Sequence, residues 1–300
     1  MPTTKNLPTL TERLRQLFPG ASGRTMKQWL EGGRVRVAGK VVRRGGVAVG
    51  AAERVELGPP EGPKFPAALR CVFEDDDILV VDKPPGLLTI ATERERDRTA
   101  YHLLAEYVGG HAAAVRGRRD VPRLFIVHRL DRETSGLLVF AKSLAVKRRL
   151  QDQFERRAVE RRYVAVVEGA VREDHGRLTT RLREERSRRV RPSKSRAGGR
   201  EAITDYRVVQ RGAEATRLEL ALVTGRRGQI RAQLAELGHP IVGDQAYGAQ
   251  RDPLRRVCLH ATRLGFVHPR GHRVDFDSSA PTAFARLTEG PQPPIGKRAR

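Results

Sequence analysis

His128-Arg-Leu-Asp-Arg-Glu-Thr-Ser-Gly-Leu-Leu-Val-Phe-Ala-Lys142 is the most informative stretch of the chain. Apolar Leu124 and Ile126 lead into it, and Leu137 to Ala141 lead out of it. The pattern predicts a strand, a polar turn and a second strand. Asp131 falls at the tip of the turn, beside Arg129 and Arg132. A carboxylate taken out of water tends to stay protonated, and a guanidinium within about 4–6 Å holds it negative instead. An ionised, positioned aspartate serves as a base or a nucleophile. The plainer alternative is an aspartate that caps the turn between two solvated arginines.

Outward from this turn, strands are expected at Ile78–Asp82, Leu124–His128, Gly136–Lys142, Arg162–Glu168, Thr204–Val209 and Ala215–Val223. Thr216–Leu222 alternates, which predicts one covered face and one wet face. Helices are expected at Ser143–Arg157 and Gly228–Leu237, the second stopped by Gly238. The fold class is therefore α+β, built on a large mixed or antiparallel sheet. Ala91–Asp120 reads as partial helix plus loop. Arg181–Arg200, with nine Lys and Arg, reads as a basic loop that is either solvated or faces RNA.

Gly58-Pro-Pro-Glu-Gly-Pro-Lys-Phe-Pro66 is hostile to helix and marks a linker over 58–66. A small unit, 1–57, precedes it. Leu10, Leu14 and Leu17 recur at helical spacing, and Ser22 is placed to cap a second helix bearing Met26, Trp29 and Leu30. Valines from Val35 to Val55 and Leu57 then suggest short strands. Arg24, Lys27, Arg34 and Arg36 stud this unit and point to binding rather than chemistry, because its core is small. The main domain runs over 67–288, and 289–300 forms a Pro-rich basic tail.

Charge narrows the partner. Across 300 residues, 58 Lys and Arg oppose 35 Asp and Glu, a formal net charge of +23. Forty-nine of the cations are Arg, the side chain that matches phosphate bidentately. A GC-rich genome favours Arg codons, yet that leaves the net charge unexplained. Such a surface binds nucleic acid with strong salt dependence. No stretch approaches the ~18 apolar residues of a membrane span, and Met1–Phe18 lacks the apolar core of a secretory signal. Two cysteines, Cys71 and Cys258, make neither a disulfide framework nor a four-thiolate zinc site. No phosphate loop, zinc spacing or dinucleotide fingerprint occurs. The expectation is a cytoplasmic monomer that needs no cofactor or metal and works on a polyanion.

His128-Arg-Leu-Asp-Arg-Glu-Thr-Ser-Gly136 also resembles the signature of the RluA-type pseudouridine synthases. Five further segments resemble that family in the same order: Val80–Leu88, Arg162–Gly169, Gly199–Tyr206, Thr224–Asp244, and Leu259-His-Ala with Phe266 and Pro269. Together they run from Cys71 to Leu287. Leu10–Leu57 resembles the alpha-L RNA-binding fold shared with a small-subunit ribosomal protein.

The resemblance implies isomerisation of uridine in RNA to pseudouridine, without cofactor. By matched position, Asp131 is the catalytic carboxylate, acting on the sugar as nucleophile or base. Arg231 is its cationic partner, and Tyr163 stacks on the uracil and assists proton removal from carbon 5. Ile230 presses on the site floor or is plain core. Arg129 fills the space left by the extruded base, a step that costs a few kcal/mol, or contacts phosphate. Arg132 contacts phosphate, and His128 is structural. Two departures stand out. Arg227-Gly228-Gln229 replaces the common Thr-His-Gln, and Gln233 replaces a common histidine. Large-subunit ribosomal RNA is the favoured target, with transfer RNA as an alternative. Two competing classes are a non-catalytic RNA-binding or ribosome-assembly protein and a glycosidase. The latter wants a second carboxylate across the scissile bond.

Overall fold

The computed structural model describes residues 7–58, 64–93, 95–116, 123–185, 190–193 and 198–289. Most of the linker, 59–63, and nearly all of the basic tail, 290–300, lie outside them. The chain falls into two compact units, Met1–Lys64 with Glu106–Pro122, and Phe65–Ala105 with Arg123–Arg300.

The first unit opens with helices α1 (Leu10–Leu17) and α2 (Gly23–Glu31). Thr9 and Glu12 form a reciprocal capping box on α1, and Ser22 caps α2 as expected. Strands β1 (Val35–Val37), β2 (Lys40–Val41) and β3 (Val55–Leu57) form an antiparallel sheet in the order β2-β1-β3. Leu10, Leu14, Met26, Leu30, Val35, Val37 and Val49 make its core. Leu17 departs from the expectation. It is 46% exposed, because α1 ends there and Phe18 turns inward against Trp29 instead.

The second unit is dominated by an 11-stranded mixed sheet. In chain order its strands begin with β4 (Arg70–Glu74), β5 (Ile78–Lys83), β6 (Phe125–Ile126) and β7 (Ser135–Ala141). They continue with β8 (Glu160–Glu168), β9 (His175–Glu184), β10 (Val190–Pro192), β11 (Arg200–Arg211) and β12 (Ala215–Leu222). The last two are β13 (Leu259–Val267) and β14 (Arg273–Asp277). The path across the sheet is β10-β9-β11-β12-β8-β13-β7-β5-β4, with β14 paired to β13 and β6 to β7. All pairings are antiparallel except β13 with β7, where His260 faces Ser135 and Ala261 faces Gly136.

Helix α3 (Ala100–Arg116) precedes β6, and the division between the units falls within it. Helix α4 (Leu144–Glu155) starts at the Ser143 cap and buries Val146 and Leu150 in the main core with Ile78, Val80, Val139 and Phe266. Helices α5 (Gln229–Glu236) and α6 (Thr282–Arg286) complete the unit.

Several expectations change. Leu124–His128 pairs only over Phe125–Ile126. The residues after it leave the ladder to shape the turn. Among the described residues of Arg181–Arg200, most lie in strands rather than loop: 181–184 end β9, Val190–Pro192 form β10 paired antiparallel to it, and Arg200 opens β11. The arginines of β9 alternate with buried Leu182, so charge did not prevent strand pairing. Residues 186–189 and 194–197 of that stretch lie outside the described set.

Candidate active site

Asp131 hangs on the turn between β6 and β7, and that turn is braced from both sides. The Thr89 hydroxyl donates to the Leu130 carbonyl (2.8 Å) and accepts from the Leu130 N–H (3.2 Å). The Arg132 carbonyl accepts from Gly86 N–H (2.8 Å) and from Lys83 Nζ (3.1 Å). Lys83 is fully buried and also donates to the Pro84 and Leu87 carbonyls, both at 2.8 Å. Burial pushes its pKa down to about 7, while three carbonyls match the three donors of its charged form. Val80–Leu88 thus fixes the backbone on either side of Asp131.

Across from the turn, α5 delivers Arg231. Its Nη1 lies 3.8 Å from Asp131 Oδ2. Its Nε and Nη2 donate to the two carboxylate oxygens of Asp244, each at 2.7 Å. The guanidinium also lies over the Tyr247 ring, 4.8 Å from its centroid. Burial opposes the Arg231 charge, but the hydrogen bonds and charge of Asp244, with the charge of Asp131, hold its pKa above the ordinary arginine value. Arg231 therefore joins Asp131, as the resemblance implies, but its tighter anchor is Asp244. A single cation shared by two carboxylates fixes the geometry of both.

Tyr163, on β8, is buried, and burial pushes its phenol up to about 12. Its hydroxyl stays protonated at neutral pH. Asp131, Tyr163, Ile230 and Arg231 all line one cleft of about 520 Å³, walled further by His128, Phe154, Arg161 and residues 222–229. Ile230 is 5% exposed and still lines the cleft, so it is both core and floor. His128 stacks on Phe154 with ring centroids 4.8 Å apart and accepts the Val139 N–H at Nε2 (3.2 Å). Burial pushes it down to about 3, so it is a neutral wall residue.

The arginines around the turn divide. Arg129 is exposed and lines the cleft. Arg132 is engaged by protein: its Nε donates to the Gly86 carbonyl (3.0 Å) and its Nη2 to Glu95 (2.6 Å). In the first unit, Arg24 and Lys27 are exposed, and Lys27 pairs loosely with Glu31 at 3.8 Å. Arg34 donates to the Gly58 carbonyl and Arg36 to that of Gly39.

Both departures from the family pattern have local explanations. Gly228 caps α5 in the left-handed region at φ 57°, and a Cβ there would crowd the Tyr247 hydroxyl. Gln233 is buried, accepts from the Thr204 hydroxyl (2.6 Å) and donates to the Leu178 and Ala202 carbonyls. It ties α5 to the sheet.

Sequence reasoning gave no role to Asp244, Tyr247, Lys83 or Arg161. Asp244 closes the quoted Thr224–Asp244 block, and its place beside Gly243 was the available signal. Among the described residues, Asp75, Asp77 and His268 form a cluster of metal-type ligands, none of them lining the cleft. There, His268 Nδ1 accepts from Arg270 N–H and Arg270 Nε donates to Asp77.

Residues 77–236 match the family model described as RNA pseudouridylate synthase. A ribosomal large subunit pseudouridine synthase D from Haemophilus ducreyi is 32% identical over 93% of this chain and 90% of its own. The corresponding protein of Yersinia pestis is 33% identical over 93% and 89%. Among solved structures, human RNA pseudouridylate synthase domain containing 1 superposes with a TM-score of 0.57 at 25% identity, covering 70% of this chain and 83% of that one. Human domain containing 4 gives 0.57 at 20% identity, over 72% and 90%, a likeness of fold. A carboxylate braced in the wall of a cleft beside a shared arginine thus lies in a chain that belongs to the RNA pseudouridylate synthase family, enzymes that isomerise uridine within RNA.

Proposed function

We propose that this enzyme isomerises uridines of large-subunit ribosomal RNA, with Asp131 as its catalytic carboxylate. The observation that carries the reading is Asp131 at 3.8 Å from Arg231 in a cleft that also holds Tyr163. The relatives' names support the choice of RNA.

The reaction breaks the bond from ribose C1′ to uracil N1, turns the ring and joins C5 to C1′. The proton on C5 is then lost. Asp131 either attacks the sugar or removes a ribose proton. Arg231, held by Asp244, places its remaining Nη1 against that carboxylate and aims it. Tyr163 stacks on the uracil, and its neutral hydroxyl assists loss of the C5 proton as a relay, passing its own proton to solvent as it accepts the one from C5. Ile230 presses the ring from the floor. Arg129 fills the gap left in the RNA stack, because a planar guanidinium stacks on bases. Arg132, with the remaining capacity of its guanidinium, contacts phosphate at the rim.

Residues 1–57 form an RNA-binding domain, with Arg24, Lys27, Arg34 and Arg36 on the phosphate-facing side, and 67–288 form the catalytic domain. The enzyme works in the cytoplasm as a monomer. Pseudouridine mapping by carbodiimide-dependent stops of reverse transcription tests the target. A strain lacking the gene should lose stops in large-subunit ribosomal RNA and regain them with the wild-type gene. Loss confined to transfer RNA would reverse the choice of substrate.

A further inference from the structure

Arg161 stands out among the cations of the cleft. It lies on β8 two residues before Tyr163, hence on the same face and about 6.6 Å along the strand. Its Nε is buried without a hydrogen-bond partner. Its Nη2 reaches only the Leu222 carbonyl, at a long 3.5 Å. The guanidinium lies 5.5 Å from the Phe154 ring centroid. Among the described residues no carboxylate is paired with it. Burial lowers its pKa, and the titratable group beside it, the Tyr163 phenol, is neutral at neutral pH. Arg129 and Arg157 line the same cleft but are exposed, so water serves them. Arg161 is only partly exposed, and its Nε is closed to water.

The wall is shaped around this side chain. Gly225 does not have a positive φ, so backbone geometry does not demand glycine there. A Cβ on Gly225 would instead collide with Arg161 Nη1. Glycine at 225 gives the guanidinium its place across the cleft wall.

A half-buried cation without an anion destabilises the free protein unless a ligand supplies the charge. Uracil and ribose are neutral at neutral pH, and the phosphodiester is the formal anion of an RNA chain. We propose that Arg161 is a substrate-binding residue that takes the phosphodiester next to the target uridine, while Tyr163 takes the base. The spacing along β8 then sets the nucleotide's register in the cleft. This rests on the assignment of the cleft to RNA isomerisation.

The test uses the full chain carrying Asp131→Asn, which prevents turnover, and an unmodified large-subunit ribosomal RNA transcript. Binding is measured against salt with and without Arg161→Met, and the thermal midpoint of the free protein is recorded. The expected result is an affinity loss of about tenfold or more. The slope of log affinity against log salt should also shrink by about 1, with a midpoint equal to or above that of the parent. A purely structural arginine would lower the midpoint and leave the slope alone. Unchanged affinity or unchanged slope overturns the proposal. If Arg161→Met does not fold, Gly225→Ala decides, since it displaces the guanidinium and keeps the charge. Weaker binding then supports the proposal, and unchanged binding overturns it. If the wild type forms no pseudouridine while Arg161→Met still weakens binding, the isomerase reading fails and the phosphate contact stands.

Discussion

Asp244 takes two of the three nitrogens of the Arg231 guanidinium, leaving Nη1 to face Asp131. The aim of Arg231 is thus set by a residue that does not line the cleft. Asp244→Asn should lower the saturated rate of pseudouridine formation by about a hundredfold, as expected of a displacement near 1 Å at a reacting group. RNA affinity, measured in the same preparation, should change far less. Arg231→Met should destabilise the fold by about 3–5 kcal/mol, because it strands the buried Asp244 charge; urea unfolding reads this. His128 offers a pH test. Its folded pKa, about 3, lies below the unfolded value near 6.5. The unfolded chain therefore binds the extra proton between those values, and stability falls as pH drops through that window. His128→Gln should remove about 1.4 kcal/mol per pH unit of that slope between pH 6 and 5. At this scale the sequence made Asp131, Tyr163, Ile230 and Arg231 legible, because each lies inside an ordered run of motifs. Asp244 lies in the same block as Arg231, yet its hold on that guanidinium depends on how α5 and the following loop fold together, and the place of Arg161 depends on β8 packing beside Gly225, neither of which the motif order records.

Strand β7 is buried along its whole length, flanked by β5 on one side and β13 on the other. Its first turn out of the active-site loop passes through Gly136, at φ 112°, directly against the Ala261 backbone. An added Cβ would meet both strain and backbone atoms. Gly136→Ala should destabilise the protein by at least about 2 kcal/mol in urea unfolding. β5, β7 and β8 were readable from sequence as short apolar runs, the pattern of a buried strand, and β12 by its alternation with a period of two. β13 was not read as a strand, although it occupies the centre of the sheet. Its Leu259-His-Ala-Thr-Arg-Leu stretch breaks alternation, and a register shift between Ala261 and Arg263 accompanies the break. β9 was hidden by its arginines, which project from a strand whose pairing is made by backbone.

A chain with net charge +23 should bind RNA through many phosphate contacts, so its affinity should fall steeply with salt. If the first unit supplies part of that charge, Arg24→Glu with Lys27→Glu should weaken RNA affinity and flatten the salt slope by about 2. Unaltered binding would remove the first unit from the interface. The basic excess was plain in the composition, but composition gives no address for it. Many of the arginines are spent on protein carboxylates, as Arg177 is on Asp205 and Arg270 on Asp77. The most direct trial of the whole account incubates purified wild-type and Asp131→Asn proteins with unmodified large-subunit ribosomal RNA and counts pseudouridines formed. Conversion of specific uridines by the wild type and none by the variant, with RNA still bound, is the expected outcome. Equal conversion by both proteins would contradict it.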